Sequence, residues 1–223
     1  FFPADKIVMT GNPIRSIIVP ATPEMKEAGI KEYGLDPSRK HIFIVGGSLG
    51  SARFNQCMKE WISDGCPGLD GVDVLWQCGK HYRPDIDRFM DEQRTKNPDV
   101  ARHIHHSDFI GRMELAYAAA DVVISRSGAS SVSELCAARK AVIFIPSPNV
   151  AEDHQTHNAM ALVKKDAAVV VKDAEAMEKM IPTALELLKD PARIARLEEN
   201  AGKMALPDAA GKIAEEVYKL IKG

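Results

Sequence analysis

Cysteine and aromatic residues are scarce in this chain of 223 residues: four Cys, two Trp and 6% aromatics in all. Cys57, Cys66, Cys78 and Cys136 form no C-x-x-C pair and no zinc-finger spacing, so they read as buried thiols in a reducing compartment rather than a disulfide framework. No apolar run approaches the roughly 18 residues of a membrane-spanning helix. Phe1 to Asp5 has neither the basic stretch nor the apolar run of a signal peptide, and no initiating Met stands at its head, as in a processed product or a fragment. An excess of cations is missing too. Lys plus Arg is 29 against 31 for Asp plus Glu, a net charge of -2, which argues against a nucleic-acid partner.

What remains is ordinary globular material, 45% hydrophobic and 27% charged. Short apolar runs alternate with helical stretches. The strand candidates are Lys6–Thr10, His41–Val45, Val72–Cys78, His103–Phe109, Asp121–Ser125, Ala141–Ile145 and Ala168–Val171, several of them rich in Val and Ile. Helical spacing runs over Glu24–Tyr33, Ala52–Ser63, Pro84–Lys96, Met113–Ala119, Ser130–Arg139 and Asp153–Lys165. Thr22-Pro23 gives the first of these a cap and a Pro at its opening position. From Asp173 to Lys222 only helices are expected, broken at Pro191 and Pro207, with Asp208 capping the last. The fold class is therefore α/β: one Rossmann-like, doubly wound parallel sheet with helices on both faces and a helical C-terminal tail.

Such sheets bind ligands beyond the carboxyl ends of their strands, so the chemistry is sought there. After His41–Val45 comes Gly46-Gly47-Ser48-Leu49-Gly50-Ser51 and then a helix. Small residues let backbone approach a ligand, and a helix start offers free amides to a phosphate. The same residues match G-x-S-x-G, so a serine hydrolase with Ser48 as nucleophile is also open, as is a plain tight turn. After Asp121–Ser125 comes Arg126-Ser127-Gly128-Ala129-Ser130-Ser131-Val132-Ser133-Glu134, a second small-residue turn into a helix. A phosphate suits the amides of Ala129 to Ser131, and a ribose diol suits the Glu134 carboxylate; helix capping with a solvated Glu134 is the other account. After Ala141–Ile145, a polar helix start offers Gln155 and Asn158 to sugar hydroxyls. His154 with His157, and His103 with His105, share faces as metal ligands would, but no third ligand accompanies either pair. No acidic D-x-D pair stands out as a metal site.

Taken in order, Gly11-Asn12-Pro13-Ile14-Arg15, Gly46 to Gly50, Phe109-Ile110 with Met113, Arg126 to Ala129 with Ser133-Glu134, and Asp153 with Gln155 and Asn158-Ala159 resemble the motifs of MurG-type N-acetylglucosamine transferases. Leu206-Pro207-Asp208 matches a tail motif of the same family. The resemblance covers essentially the whole chain but only one half of such an enzyme. It implies the C-terminal, donor-binding domain of a GT-B glycosyltransferase over residues 1–223, with the N-terminal acceptor domain absent. It implies roles for Arg15 beside the nucleotide and Ser48 in the glycine loop. It implies that the Ile110 backbone contacts uracil and that Ala129, Ser130, Ser131, Val132, Ser133 and Glu134 hold diphosphate and ribose, with Gln155 on the sugar. Implied too are UDP-N-acetylglucosamine as donor and undecaprenyl-pyrophosphoryl-N-acetylmuramoyl-pentapeptide as acceptor, with no cofactor, no metal ligand and a general base outside this chain. Membrane contact would come mainly through the other half, at the cytoplasmic face of a bacterial inner membrane. Gly111, Arg112 and His154 depart from the usual family residues, and Ser51 replaces a frequent Ala.

Overall fold

Six Val- and Ile-rich segments pair side by side in the computed structural model, which describes residues 2–222. They are β1 Lys40–Val45, β2 Val72–Gln77, β3 Ile104–Ser107, β4 Val122–Ser125, β5 Val142–Phe144 and β6 Val169–Val170. All pairings are parallel, in the order β3-β2-β1-β4-β5-β6. In register, Ile42 of β1 sits between Val74 of β2 and Val122 of β4. The chain winds outward from β1 to β3, then crosses back to start β4 on the other side of β1. The carboxyl ends of β1 and β4 thus flank the point where the order reverses.

Ten helices complete the described residues: α1 Pro23–Glu32, α2 Ala52–Ser63, α3 Arg83–Lys96, α4 Pro98–Ala101, α5 Met113–Ala119, α6 Ala129–Ala137, α7 His154–Val163, α8 Ala176–Leu188, α9 Pro191–Lys203 and α10 Ala209–Lys222. Side-chain caps start four of them, where the sequence supplies an oxygen for an orphan amide. Thr22 accepts from Met25, Ser51 from Phe54 and Asp190 from Arg193, and Asp208 accepts from Gly211 at the start of α10, as expected from the sequence. Strand residues point alternately to two cores. Ile42, Ile44, Val74 and Trp76 pack with Phe54 and Met58 of α2, Met90 of α3 and Met180 of α8. Phe43, Leu75, Val123 and Phe144 pack on the other face with Tyr117 of α5, Leu135 of α6 and Leu162 of α7. Trp76 is fully buried, and its Nε1–H donates to Asn55 Oδ1 at 3.0 Å, while Asn55 Nδ2 donates to the Cys78 carbonyl at 2.9 Å. The polar tip of the largest core residue is thereby satisfied.

Two expectations need correction. Lys6–Thr10 is not a strand: Ala4–Lys6 is a single 3-10 turn, and Ile7, Val8 and Met9 are exposed. Its alternation suits an extended chain, but no neighbouring strand takes up its backbone groups, and a strand exists only in a ladder. The His103–Phe109 segment yields only the four residues of β3 at the sheet edge. The short α4 was not foreseen, and α8 continues through Pro182, which lies on its exposed side.

Candidate functional site

The turn after β1 is shaped by contacts that admit only glycine. Gly50 has φ of +79° and Gly79 has φ of +92°, and each backbone lies against the other's loop. A Cβ on Gly50 would strike the Cys78 carbonyl, and one on Gly79 the Leu49 carbonyl. Gly47, with φ of +94°, faces open space instead. The two loops after β1 and β2 are thus locked together, while Gly46 and Gly47 keep bare backbone toward the cleft.

The turn after β4 opens α6 differently from the capped helices. Gly128 stands at the cap position with no side chain to offer, and the first helical bond runs from Val132 N–H to the Gly128 carbonyl. The amides of Ala129, Ser130 and Ser131 precede that bond at the positive end of the helix. Arg126 is tied down just before it. Its guanidinium donates to the Ile145 carbonyl at 2.8 Å, to Asp173 Oδ1 at 2.6 Å and to Ser51 Oγ at 3.0 Å, and lies 4.6 Å from the centre of the Phe54 ring.

These turns enclose a cleft of about 560 Å³, lined among others by Gly46, Gly47, Arg126, Ser131, Gln155 and Asp173. α7 reaches it through a tightly bonded start. The Gln155 carbonyl accepts from Ser127 Oγ at 2.8 Å, its Oε1 accepts from the Ser147 amide at 2.9 Å, and Asn158 Nδ2 donates to the Ser127 carbonyl at 3.0 Å. With Oε1 held in place by one of its two possible hydrogen bonds, the Gln155 amide nitrogen keeps both N–H donors for a ligand.

Glu134 lies two turns into α6. Arg15 Nε and Nη2 donate to its Oε1 at 3.1 and 3.0 Å, Nη2 also donates to Oε2 at 3.3 Å, and the Tyr117 hydroxyl donates to Oε2 at 3.2 Å. Burial, and then the adjacent Glu134 charge, push the Tyr117 phenol well above its ordinary range, so it stays protonated and donates to the carboxylate.

The other residues singled out from the sequence divide. Ser48 is exposed in the glycine turn and does not line the cleft. Ile110 is buried beside Ile18 and Tyr117, which leaves its backbone as the part able to meet a base. Val132 and Ser133 turn to a separate groove of about 740 Å³, shared with Arg15, Cys136 and Leu206. Helical geometry explains the split: consecutive residues of α6 cannot all face one cleft. The serine-hydrolase alternative loses its support, since the Ser48 hydroxyl has no hydrogen-bond partner among the described residues and His154 Nδ1 instead bonds the Ala151 carbonyl. His103 bonds Asp73, and His106 bonds Asp87. The triplet Asp85-Ile86-Asp87 does have D-x-D spacing, but on α3 Asp85 pairs with Lys59 and Asp87 with Arg83, away from the cleft. Sequence reasoning missed Tyr117 and Asp173 as site neighbours, and treated Arg126 only as part of a motif. An Arg opening the turn after β4 was the available signal; nothing local marks the other two.

The sequence profile described as "Glycosyltransferase family 28 C-terminal domain" matches residues 41–213. Over 220 residues, 99% of this chain, the sequence is 46% identical to the UDP-N-acetylglucosamine--N-acetylmuramyl-(pentapeptide) pyrophosphoryl-undecaprenol N-acetylglucosamine transferase of Bacteroides thetaiotaomicron, and 47% identical to that of Bacteroides fragilis. The match covers 57% and 56% of those proteins, so the chain spans a little over half the length of the curated relatives it matches. Among solved structures, that of Acinetobacter baumannii MurG superposes with a TM-score of 0.69 at 24% identity, over 98% of this chain and 58% of that one. It supports the same fold.

Proposed function

The chain belongs to the glycosyltransferase family 28 C-terminal domain family, and on that premise we propose that it is the donor-binding half of an inverting GT-B enzyme. The enzyme transfers N-acetylglucosamine from UDP-N-acetylglucosamine to undecaprenyl-pyrophosphoryl-N-acetylmuramoyl-pentapeptide in peptidoglycan synthesis. The observation that carries the reading is the convergence at the β1/β4 switch point. There the bare Gly46-Gly47 backbone, the uncapped start of α6 and the Gln155 side chain border one cleft.

In the reaction an acceptor hydroxyl attacks the anomeric carbon of the donor and UDP departs, so negative charge grows on the diphosphate. The amides of Ala129, Ser130 and Ser131 stabilise that charge from fixed positions, with the helix dipole behind them. Glu134 accepts hydrogen bonds from the ribose diol, the Ile110 backbone reads the uracil edge, and Gln155 addresses the sugar. Arg15 lies beside the nucleotide and Ser48 sits at the lip of the glycine turn. The acceptor, its general base and most of the membrane contact, at the cytoplasmic face of the bacterial inner membrane, belong to an N-terminal domain outside this chain.

Titration calorimetry of the folded chain tests this. UDP and UDP-N-acetylglucosamine should both give saturable heats without sugar transfer, and no heat at millimolar nucleotide would sink the reading.

A further inference from the structure

The Glu134 carboxylate is held from two sides by groups of opposite character. Arg15 reaches Oε1 and, at 3.3 Å, Oε2 from a side chain that is 45% exposed, in the middle of a segment, residues 7–22, without helix or strand. Tyr117 reaches Oε2 from inside the fold: it is 2% exposed, on α5, with its ring edge-on to Phe43 of β1 at 6.0 Å between centroids. Glu134 itself keeps 13% of its side chain exposed, enough to meet a ligand. An ionised carboxylate has about four acceptor positions; the Tyr117 hydroxyl keeps one on Oε2, and those that Arg15 Nε and Nη2 hold become free to accept when the guanidinium turns away. A buried phenol cannot follow a ligand in and out, whereas an exposed guanidinium can swing away.

We propose that Tyr117 is a positioning residue for nucleotide binding: its hydroxyl anchors Oε2 of Glu134 so that the carboxylate is presented to a cis-diol in one fixed orientation. The proposal rests on the ribose role given above to Glu134, and goes beyond it by assigning a residue that touches no ligand. A carboxylate held in place loses less rotamer freedom when the diol binds, so the anchor strengthens the diol contact and no other.

The test compares UDP with 2′,3′-dideoxy-UDP by titration calorimetry, on the chain and its Tyr117→Phe, Glu134→Ala and doubly substituted forms. The unsubstituted chain should prefer UDP; equal affinity for both would remove Glu134 from the ribose before Tyr117 is questioned. Given that preference, Tyr117→Phe should weaken UDP by about 10-fold, the loss of one hydrogen bond to a charged group, and shift dideoxy-UDP by less than about two-fold. In the double variant UDP should bind no more weakly than in Glu134→Ala alone. Equal losses for both nucleotides, no loss for UDP, or additive losses in the double variant would each overturn the proposal while leaving the ribose reading intact. Tyr117→Met, which also lacks the hydroxyl, is measured in the same way should the Phe variant fail to fold.

Discussion

Arg15 and Glu134 stand 119 residues apart and meet in a two-pronged ion pair, with Nε and Nη2 both within 3.1 Å of Oε1. The pair joins the segment before α1 to the first turns of α6. Because Arg15 is nearly half exposed, the pair should contribute no more than about 1 kcal/mol to folding. Arg15→Ala should therefore leave the urea midpoint almost unchanged. It should still weaken UDP by roughly 3- to 10-fold, since a cation beside the nucleotide is lost. A stability loss above about 2 kcal/mol would mark Arg15 as mainly structural.

The paired glycine turns give a prediction with an internal control. Gly50→Ala and Gly47→Ala both place a Cβ where φ is positive, which costs on the order of 1 kcal/mol. Only Gly50→Ala also drives that Cβ into the Cys78 carbonyl. Denaturant unfolding should show Gly50→Ala losing at least about 2 kcal/mol more than Gly47→Ala. Equal losses would mean that the two loops are not locked.

Asp73 supplies a pH-dependent contribution. Burial favours its neutral form, but it is outweighed by the imidazoles of His105 and His103 and the Asp36 amide, with the Arg39 guanidinium 2.7 Å away, so its carboxyl stays well below the usual range. A depressed carboxyl stabilises the fold above its unfolded value of about 3.9, and that contribution is lost as pH falls through the folded value. Asp73→Asn should thus be markedly less stable than the parent at pH 7, with the gap narrowing below about pH 4. A gap that stays constant from pH 7 to pH 3 would refute the linkage.

Gln155 separates sugar from nucleotide. Its Oε1 is held by the Ser147 amide, which leaves both N–H donors of its amide nitrogen to meet the donor sugar. Gln155→Ala should weaken UDP-N-acetylglucosamine by about 10-fold while UDP changes little, a difference worth roughly 1.4 kcal/mol. A matched loss for both ligands in calorimetry would instead place Gln155 in loop support through Ser147.

Much of the architecture was legible from residue order. Val- and Ile-rich runs between helical periods announced a parallel sheet, and small residues after β1 and β4 announced the two turns that border the cleft. The failures are equally physical. Lys6–Thr10 looked like a strand because alternation records side-chain chemistry, not whether a partner strand is present to complete the ladder. What residue order did not convey is direction: Val132 and Ser133 follow Ser131 in the chain, but a helix turns about 100° per residue and they line another groove.

By itself, the sequence determined the fold class, the two small-residue turns after β1 and β4 and the family to which the chain belongs, because those rest on local spacing and on motif order. Only the tertiary structure decided that Tyr117 and Arg15 share Glu134, that Asp173 holds Arg126, and that Ser48 stays outside the cleft. Those contacts join residues from 17 to 119 positions apart, and their energies depend on burial and direction. No pattern of neighbouring residues records either.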